Sequence, residues 1–411
     1  MRNALFRSQG GTAPLRLRPS SAQRSSGTLP TNAIGDAGDP VLARNDTTGR
    51  IYFATLGFSG TGTIQLFRSD DNGATWQAPV VGTPGGASED KEWMAVDNFP
   101  GAGQGNVYLI SRNFGAGNGI YLYRSTDNGN TFGPSGGTLI VSGNQGAFVA
   151  VGPDHSVYAF WLAGTTLQVR RSSDLGLTFG APVTVATFAG AGGTNGDMGL
   201  TGIRQGTAVA SGFRSNKFPH AAVNPISGNI YVVYADDGAA ADKADIKVVQ
   251  STNGGATWSA PIKVNDDVTT TDQWQPTLAV SPDGSKLGIF YYSRQEDPVN
   301  NNLFKYYGRI AAISGSTLTF LPSFAISETP SLPEFGRDSI VNSVYMGDYD
   351  FAAATPGAFH VVWSDNRDDL PGGAGRKDPS VRYKKISLGL SVTTTVPAVN
   401  SIVNSLPTAF V

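Results

Sequence analysis

The chain has 411 residues, with 30 Lys and Arg against 32 Asp and Glu, a formal charge of −2, and no Cys. Because this charge provides no basic surface for a phosphate backbone, nucleic acid is not expected as a partner. Without Cys, disulfides, zinc-thiolate sites and Cys nucleophiles are excluded. The 52 Gly residues are typical of short strands joined by tight turns, and no apolar run approaches the roughly 18 residues that a membrane-spanning helix needs.

The first 35 residues repeat patterns found later in the chain. Residues 5–8 match residues 66–69, and residues 13–17 have the pattern of residues 181–185. We therefore expect residues 1–35 to contribute outer strands that close or extend a ring of repeated sheets. The alternative is that this sequence begins inside a longer protein.

An apolar-Ala pair recurs six times from residue 42 onward, and a second apolar stretch follows each pair. The Ala residues of these pairs are Ala43, Ala95, Ala150, Ala222, Ala279 and Ala353. Their spacing ranges from 52 residues (43 to 95) to 74 residues (279 to 353), which is typical of a four-stranded propeller blade with its loops. Small side chains suit innermost strands, because these strands converge near the axis.

This repeat predicts an all-β fold, a six-bladed β-propeller over residues 36–390. A seven-bladed ring is the alternative if the two ends of the chain share a blade. Residues 391–411 then form a tail or linker. The two longest spacings contain insertions at residues 190–218 and 320–346, for which we expect a functional or docking role because they exceed ordinary connections.

A second motif, S-x-D/N-x-G-x-T-W/F, occurs four times, at residues 69–76, 125–132, 172–179 and 251–258. Each copy follows an alternating strand, so each predicts a hairpin turn. An Asp or Asn side chain can accept from backbone amides ahead of it, and Gly supplies a positive φ. We therefore interpret Asp71, Asp127, Asp174 and Asn253 as structural residues.

This motif resembles the Asp box, or BNR repeat, of the sialidase-type β-propellers. In that family the box lies on the outside of each blade, away from the active centre. The resemblance implies a bacterial, secreted or cell-surface protein that acts on or binds a glycan or glycoconjugate. The Arg-Ile-Pro motif that opens true sialidases is not present in this sequence.

In a propeller, residues just ahead of the inner strands and just after the second strands gather at one mouth of the central channel. Here these positions are rich in carboxylates, arginines and aromatic rings, although charge is sparse elsewhere. Aromatic rings stack on sugar rings, carboxylates accept from sugar hydroxyls, and the guanidinium group of Arg binds a carboxylate through two N–H donors. The residues include Asp39, Asp90, Lys91, Glu92, Trp93, Arg112, Gln145, Lys217, His220, Trp274, Arg294, Asp348, Tyr349 and Arg367.

Sialidases use three arginines to hold the substrate carboxylate, a Tyr nucleophile activated by a Glu, and an Asp acid/base. The resemblance implies Tyr349 as the nucleophile, with Asp90 or Glu92 as the acid or as the partner of Tyr349. Candidate substrate-binding residues are Arg294 and Arg367, with Arg112 or Arg214 as a third arginine, together with Asp348, Trp93 and Trp274. The two Trp residues are also interpreted as packing between blades.

These residues lead to three functional hypotheses. The first is an extracellular glycan-directed propeller, in its enzymatic form an exo-sialidase-type glycoside hydrolase. The second is a non-catalytic propeller that binds a glycan or a protein. The third is a polysaccharide lyase that uses Tyr349 or His220 as its base. No cofactor is expected, and calcium at Asp236 and Asp237 or at residues 365–369 is the weaker alternative to solvated acidic loops.

Overall fold

The computed structural model describes residues 29–30, 38–57, 60–115, 117–190, 192–204, 207–237, 242–334, 346–369 and 376–388. These residues form an all-β, six-bladed β-propeller, which confirms the first of the two predicted architectures. Most of the segment 1–35 and the whole tail 391–411 lie outside the described residues, so both predictions stay untested. Within the described part of the chain, the only helical segment is a 3-10 turn, Thr194–Gly196, and no helix there could cross a membrane.

Each blade is an antiparallel sheet that runs from an inner strand at the channel to outer strands at the rim. Blade 1 contains β1 (Gly38–Arg44), β2 (Ile51–Leu56), β3 (Ile64–Ser69) and β4 (Val80–Val81), and blade 2 contains β5 (Glu89–Val96), β6 (Val107–Asn113), β7 (Gly119–Ser125) and β8 (Gly133–Ser142). Blade 3 contains β9 (Gln145–Val151), β10 (Val157–Ala163), β11 (Thr166–Ser172) and β12 (Val183–Thr187).

The insertion after blade 3 forms a hairpin of β13 (Leu200–Arg204) and β14 (Thr207–Phe213). Blade 4 contains β15 (His220–Val223), β16 (Ile230–Asp236), β17 (Asp245–Ser251) and β18 (Ile262–Lys263). Blade 5 contains β19 (Gln273–Val280), β20 (Lys286–Ser293) and β21 (Lys305–Ser314), with β22 (Thr317–Phe320) and β23 (Phe324–Ala325) both paired to β21. Blade 6 contains β24 (Phe351–Thr355), β25 (Ala358–Asp365) and β26 (Ser380–Ser387).

The cores lie between the faces of neighbouring blades. One apolar cluster combines Ile110 of blade 2 with Val149 and Trp161 of blade 3. The ring closes because Tyr349, at the start of blade 6, packs in the same cluster as Val41 of blade 1. Second strands are covered on both faces, which explains why they are almost continuously apolar.

The four predicted turns share one hydrogen-bond pattern. In the first, Asp71 accepts from the backbone N–H and the hydroxyl of Thr75 at 2.8 and 2.6 Å, and Ser69 accepts from the Gly73 N–H at 2.8 Å. The copies around Asp127 and Asp174 repeat these contacts. The fourth copy keeps both backbone contacts, but there the Asn253 amide nitrogen donates to the Thr257 hydroxyl at 2.8 Å. Each turn joins the third strand of a blade to the fourth, so these side chains hold the rim together, far from the hub.

Glycine in these turns also permits contact with the preceding blade. Gly129 has a φ of +74°, and an added Cβ would lie 2.5 Å from the ring of Tyr52 in blade 1. A larger residue would therefore be strained by its backbone and would push the blades apart.

Candidate active site

Backbone bulges turn the first residues of the inner strands toward the hub. Asp39 and Lys91 have φ values of +52° and +50°, and the register of their strands shifts next to them, between Gly38 and Val41 and between Asp90 and Trp93. Bulges re-aim side chains, and left-handed non-Gly residues carry a conformational cost that is often found at functional sites. Asp39 and Lys91 occupy equivalent positions of blades 1 and 2, so the same left-handed backbone conformation occurs in both blades.

The re-aimed side chains meet a group of residues from blade 6 and from the inserted hairpin. The Tyr349 hydroxyl donates to Asp39 Oδ2 at 3.1 Å, and the Lys91 ammonium lies 3.7 Å from the centre of the Tyr349 ring. Lys91 also donates to the backbone carbonyl of Asp348 at 3.3 Å, and Arg214 pairs with Asp348 Oδ2 at 2.5 Å. We call this group the hub cluster, with the members Asp39, Asp90, Lys91, Glu92, Arg214, Asp348 and Tyr349.

The electrostatics of the hub cluster favour the protonated form of three carboxyl groups, those of Asp39, Asp90 and Glu92. Burial, and then the charges of Asp90 and Asp348, raise the pKa of Asp39 to about 7 against the opposing effects of Lys91 and Tyr349. Burial and the Asp348 charge also raise the pKa of Asp90, although Gln145 donates to its carboxylate at 2.9 Å. Asp39 can therefore hold a proton near neutral pH, as a general acid must.

Glu92 is the most deeply buried acid of the hub cluster. Its side chain is fully enclosed, and neither carboxylate oxygen has a hydrogen-bond partner. Burial raises the pKa of Glu92 well above its usual range, and the charges of Asp39 and Asp90 add to this effect. An enclosed carboxyl without donors is stable only in its neutral form.

An aromatic layer closes the channel beneath the hub cluster. Trp93 stacks on Phe148 with ring centres 4.4 Å apart, and its ring centre lies 4.8 Å from that of His220 and 5.0 Å from that of Phe351. Burial lowers the pKa of His220 to about 3, and the Lys91 charge contributes, so His220 is neutral. Below the layer, a hollow of about 510 Å³ continues along the inner strands.

The structure brings together five of the residues that were predicted to bind substrate or to react: Tyr349, Asp90, Glu92, Asp348 and Arg214. It changes the predicted partner of Tyr349. The carboxylate next to its hydroxyl is that of Asp39, whereas Glu92 offers only its backbone carbonyl at 3.5 Å.

A sequence signal for this role of Asp39 exists. Asp39 stands four residues before Ala43, as Lys91 stands before Ala95 and Tyr349 before Ala353. These equivalent positions point into the hub in their respective blades.

Arg294 lies in a different environment from the hub cluster. It is fully buried, pairs with Asp272 at 3.0 Å, and lies 5.1 Å from the ring of Trp274. Its other nitrogen donates to the carbonyl of Thr201 at 2.6 Å, which fixes the inserted hairpin to blade 5. Trp274 is 1% exposed and packs against Phe213, so it is an interior residue and offers no face to a sugar.

The remaining predicted arginines are also engaged elsewhere. Arg367 binds both oxygens of Asp365, at 2.8 and 2.7 Å. Arg112 donates to the Asn113 carbonyl and to Asn118 Oδ1 at 2.5 and 2.6 Å. Among the described residues, the arginines that were expected to form a clamp therefore do not converge on one site. Arg214 is the arginine that the described residues contribute to the hub cluster.

The acids considered for calcium face basic side chains instead. The Lys217 ammonium is fully buried and lies 2.6 Å from Asp236 Oδ1 and 2.8 Å from Asp237 Oδ1. It also donates to the Gly190 carbonyl at 2.8 Å, and so it anchors the start of the insertion. Across the ranges that the structure describes, no group of three or more His, Asp or Glu side chains has a geometry that would hold a metal ion.

Several solved structures are similar to this chain. A protein of unknown function from Dyadobacter fermentans DSM 18053 is 15% identical, with 87% of this chain and 96% of that chain covered and a TM-score of 0.51. NanB, solved with Optactamide, is 10% identical, with 92% and 71% covered and a TM-score of 0.52. A K499G mutant of NanB sialidase from Streptococcus pneumoniae gives a TM-score of 0.49, again at 10% identity, with 92% and 72% covered. At these identities the likeness supports the fold alone.

A more distant structure is the α-L-arabinofuranosidase Arb93A from Fusarium graminearum, which is 13% identical, with 84% and 92% covered and a TM-score of 0.46. No protein-family model matches the chain, and no curated protein matches it significantly.

Proposed function

We propose that this protein is a glycan-directed glycoside hydrolase, acting outside the cell, whose reacting groups are in the hub cluster. One observation carries the proposal: the carboxyl groups of Asp39, Asp90 and Asp348 lie close together, so that the charges of Asp90 and Asp348 raise the pKa of Asp39, and Tyr349 donates to Asp39. Glycosidases cleave with paired carboxyl groups, one protonated and one ionised.

The two roles follow from the environments of these groups. Asp39 is the general acid, because it is buried and has a pKa of about 7. Asp348 pairs with Arg214 at 2.5 Å and is 7% exposed, so it is positioned as an ionised partner that acts as base or nucleophile. Asp90, held by Gln145, is the alternative for the second role. The fold that the chain shares with NanB supports a glycan as the target class.

A second candidate mechanism keeps the same substrate class and changes the nucleophile. In the sialidase type, Tyr349 would attack the sugar, Asp39 would accept its proton, and Asp90 would be the acid. The hydrogen bond from the Tyr349 hydroxyl to Asp39 favours this version. However, the pKa of Tyr349 is raised well above its usual range by burial and by the charges of Asp39 and Glu92, so the resting hydroxyl is neutral.

One variant with a matched control tests the proposal. The wild type is incubated with aryl glycosides of neutral sugars, sialic acid and uronic acids, and Asp39→Asn is expected to abolish whatever turnover is found. Tyr292→Phe is the control, because Tyr292 also donates to a buried carboxylate, Asp350, at 2.9 Å, but is fully enclosed. It is expected to keep wild-type turnover.

The pH profile separates the two mechanisms. With Asp39 as the acid, the rate falls as pH rises through about 7. The Tyr349 hydrogen bond lowers the pKa of Asp39, so Tyr349→Phe should move this fall to higher pH while retaining activity. Complete loss of turnover in Tyr349→Phe would select the tyrosine nucleophile instead. No turnover of any glycoside by the wild type, with glycan binding retained, would make the protein a non-catalytic binder.

A further inference from the structure

We infer that the hub site takes neutral glycans, and that Asp348 sets this preference by neutralising Arg214. This inference rests on the proposed function and names its substrate class. The resemblance to sialidases points in the opposite direction, toward an acidic sugar held by arginines.

The inserted hairpin places Arg214 at the mouth of the channel, where its side chain is paired with Asp348. Arg214 directly follows β14, and its side chain is 31% exposed, whereas that of Asp348 is 7% exposed. Arg294 fixes the hairpin by donating to the Thr201 carbonyl, and Lys217 fixes the start of the insertion by donating to the Gly190 carbonyl. Because the hairpin is fixed and the ion pair is 2.5 Å long, the Arg214 charge is compensated within the protein.

Lys91 is compensated in the same way. The charges of Asp348, Asp39 and Asp90 all act on it and oppose the effect of its burial. Its ammonium also lies over the rings of Tyr349 and Phe218, at 3.7 and 5.1 Å. The ammonium is therefore used to hold the hub cluster together.

Basic side chains outside the hub cluster are also paired with acids of the protein. Arg294 pairs with Asp272, Arg367 with Asp365, and Lys217 with Asp236 and Asp237. Each pair joins a basic group to an acid of the same region, so three described arginines of the predicted clamp, Arg214, Arg294 and Arg367, are each compensated by an acid of the protein.

A carboxylate on the substrate would meet a site that already contains several acids. It would have to displace Asp348 from Arg214, and a second negative charge close to the Asp348 carboxylate is unfavourable in a partly buried site. Neutral sugar hydroxyls have the complementary chemistry, because each can donate to a carboxylate oxygen. The mouth is thus built for hydroxyl donors.

The test measures binding, so that it does not depend on turnover. All proteins carry Asp39→Asn, which mimics protonated Asp39 and prevents hydrolysis, and are applied at about pH 6 to an array of neutral, uronate-containing and sialylated glycans of matched length. Asp348→Asn is then added. Asp365→Asn is the matched control, because Asp365 pairs with Arg367 outside the hub cluster.

The parent protein, which carries Asp39→Asn alone, is expected to bind neutral glycans in preference to acidic ones. Asp348→Asn should raise the acidic-to-neutral binding ratio about tenfold, the effect of one uncompensated charge in a partly exposed site. Asp365→Asn should leave the ratio unchanged. Adding Arg214→Gln to Asp348→Asn should cancel the gain.

The possible failures are distinguishable. A parent that prefers acidic glycans, or an Asp348→Asn variant with an unchanged ratio, overturns this inference and leaves the proposed function standing. No binding to any glycan overturns both. If Asp348→Asn does not fold, Arg214→Gln alone decides, because a neutral site keeps its neutral ligands without Arg214 and an acid-binding site loses its ligands.

Discussion

Replacing Asp39 by Asn should stabilise the protein at neutral pH. The fold raises the pKa of Asp39 from 3.8 to about 7, chiefly through burial. A group with a raised pKa contributes stability below its unfolded pKa and loses that contribution as pH rises through its folded pKa. The neutral amide of Asn has no such loss, and its carbonyl can still accept from the Tyr349 hydroxyl.

The size of the effect follows from the shift. About 3 pKa units at 1.36 kcal/mol each set an upper bound of roughly 4 kcal/mol. Because part of the shift comes from the charge of Asp90, whose own pKa is also raised, we expect a gain of about 2 kcal/mol above pH 8 and almost none near pH 4.

Urea unfolding of wild type and Asp39→Asn at several pH values between about 4 and 8 measures this difference. Asp365→Asn is a control of opposite sign. Burial opposes ionisation of Asp365, but the hydrogen bonds and charge of Arg367 outweigh it and lower the pKa. That variant should be less stable at neutral pH, with a difference that shrinks as pH falls. An Asp39→Asn variant that is less stable than wild type at pH 8, or whose effect does not change with pH, would refute the reasoning.

Three further substitutions test the scaffold. Ser125→Ala, which removes a buried acceptor of one rim turn, should cost about 1–3 kcal/mol of unfolding free energy, and an unchanged urea midpoint would contradict the structural role of the turns. Arg294→Ala leaves Asp272 buried without its charged partner, so it should cost about 3–5 kcal/mol of unfolding free energy and speed amide exchange in Leu200–Arg204. Unchanged exchange would show that Arg294 does not anchor the hairpin. Trp93→Ala should cost about 3 kcal/mol by opening the aromatic layer, and a neutral effect would show that the layer does not stabilise the hub.

The blades and turns were predictable because each is determined by local sequence. A second strand that is covered on both faces must be apolar along its whole length, and a tight turn must contain residues that satisfy its backbone. The repeat of Ala residues such as Ala43 and Ala95 located the inner strands, and with them the mouth of the channel. Spacing alone therefore identified where Tyr349, Asp90 and Asp348 would gather.

The pairings inside the mouth were not predictable from spacing. Tyr349 and Asp39 are 310 residues apart in the chain, and only the closure of the ring brings them together. Arg214 reaches Asp348 because a hairpin with an irregular, Gly- and Thr-rich sequence is anchored through Arg294 and Lys217. Repeat spacing says nothing about the course of such an insertion, so it could not distinguish Arg214 from Arg294 as the hub arginine.

The most direct measurement of the central claim is the hydrolysis of a panel of neutral and acidic aryl glycosides by wild type, Asp39→Asn and Tyr292→Phe at pH 6. We expect the wild type and Tyr292→Phe to release the aryl group from at least one neutral glycoside, and Asp39→Asn to release none. Equal release by Asp39→Asn and wild type, or no release from any glycoside by the wild type, would contradict a hydrolytic site at the hub.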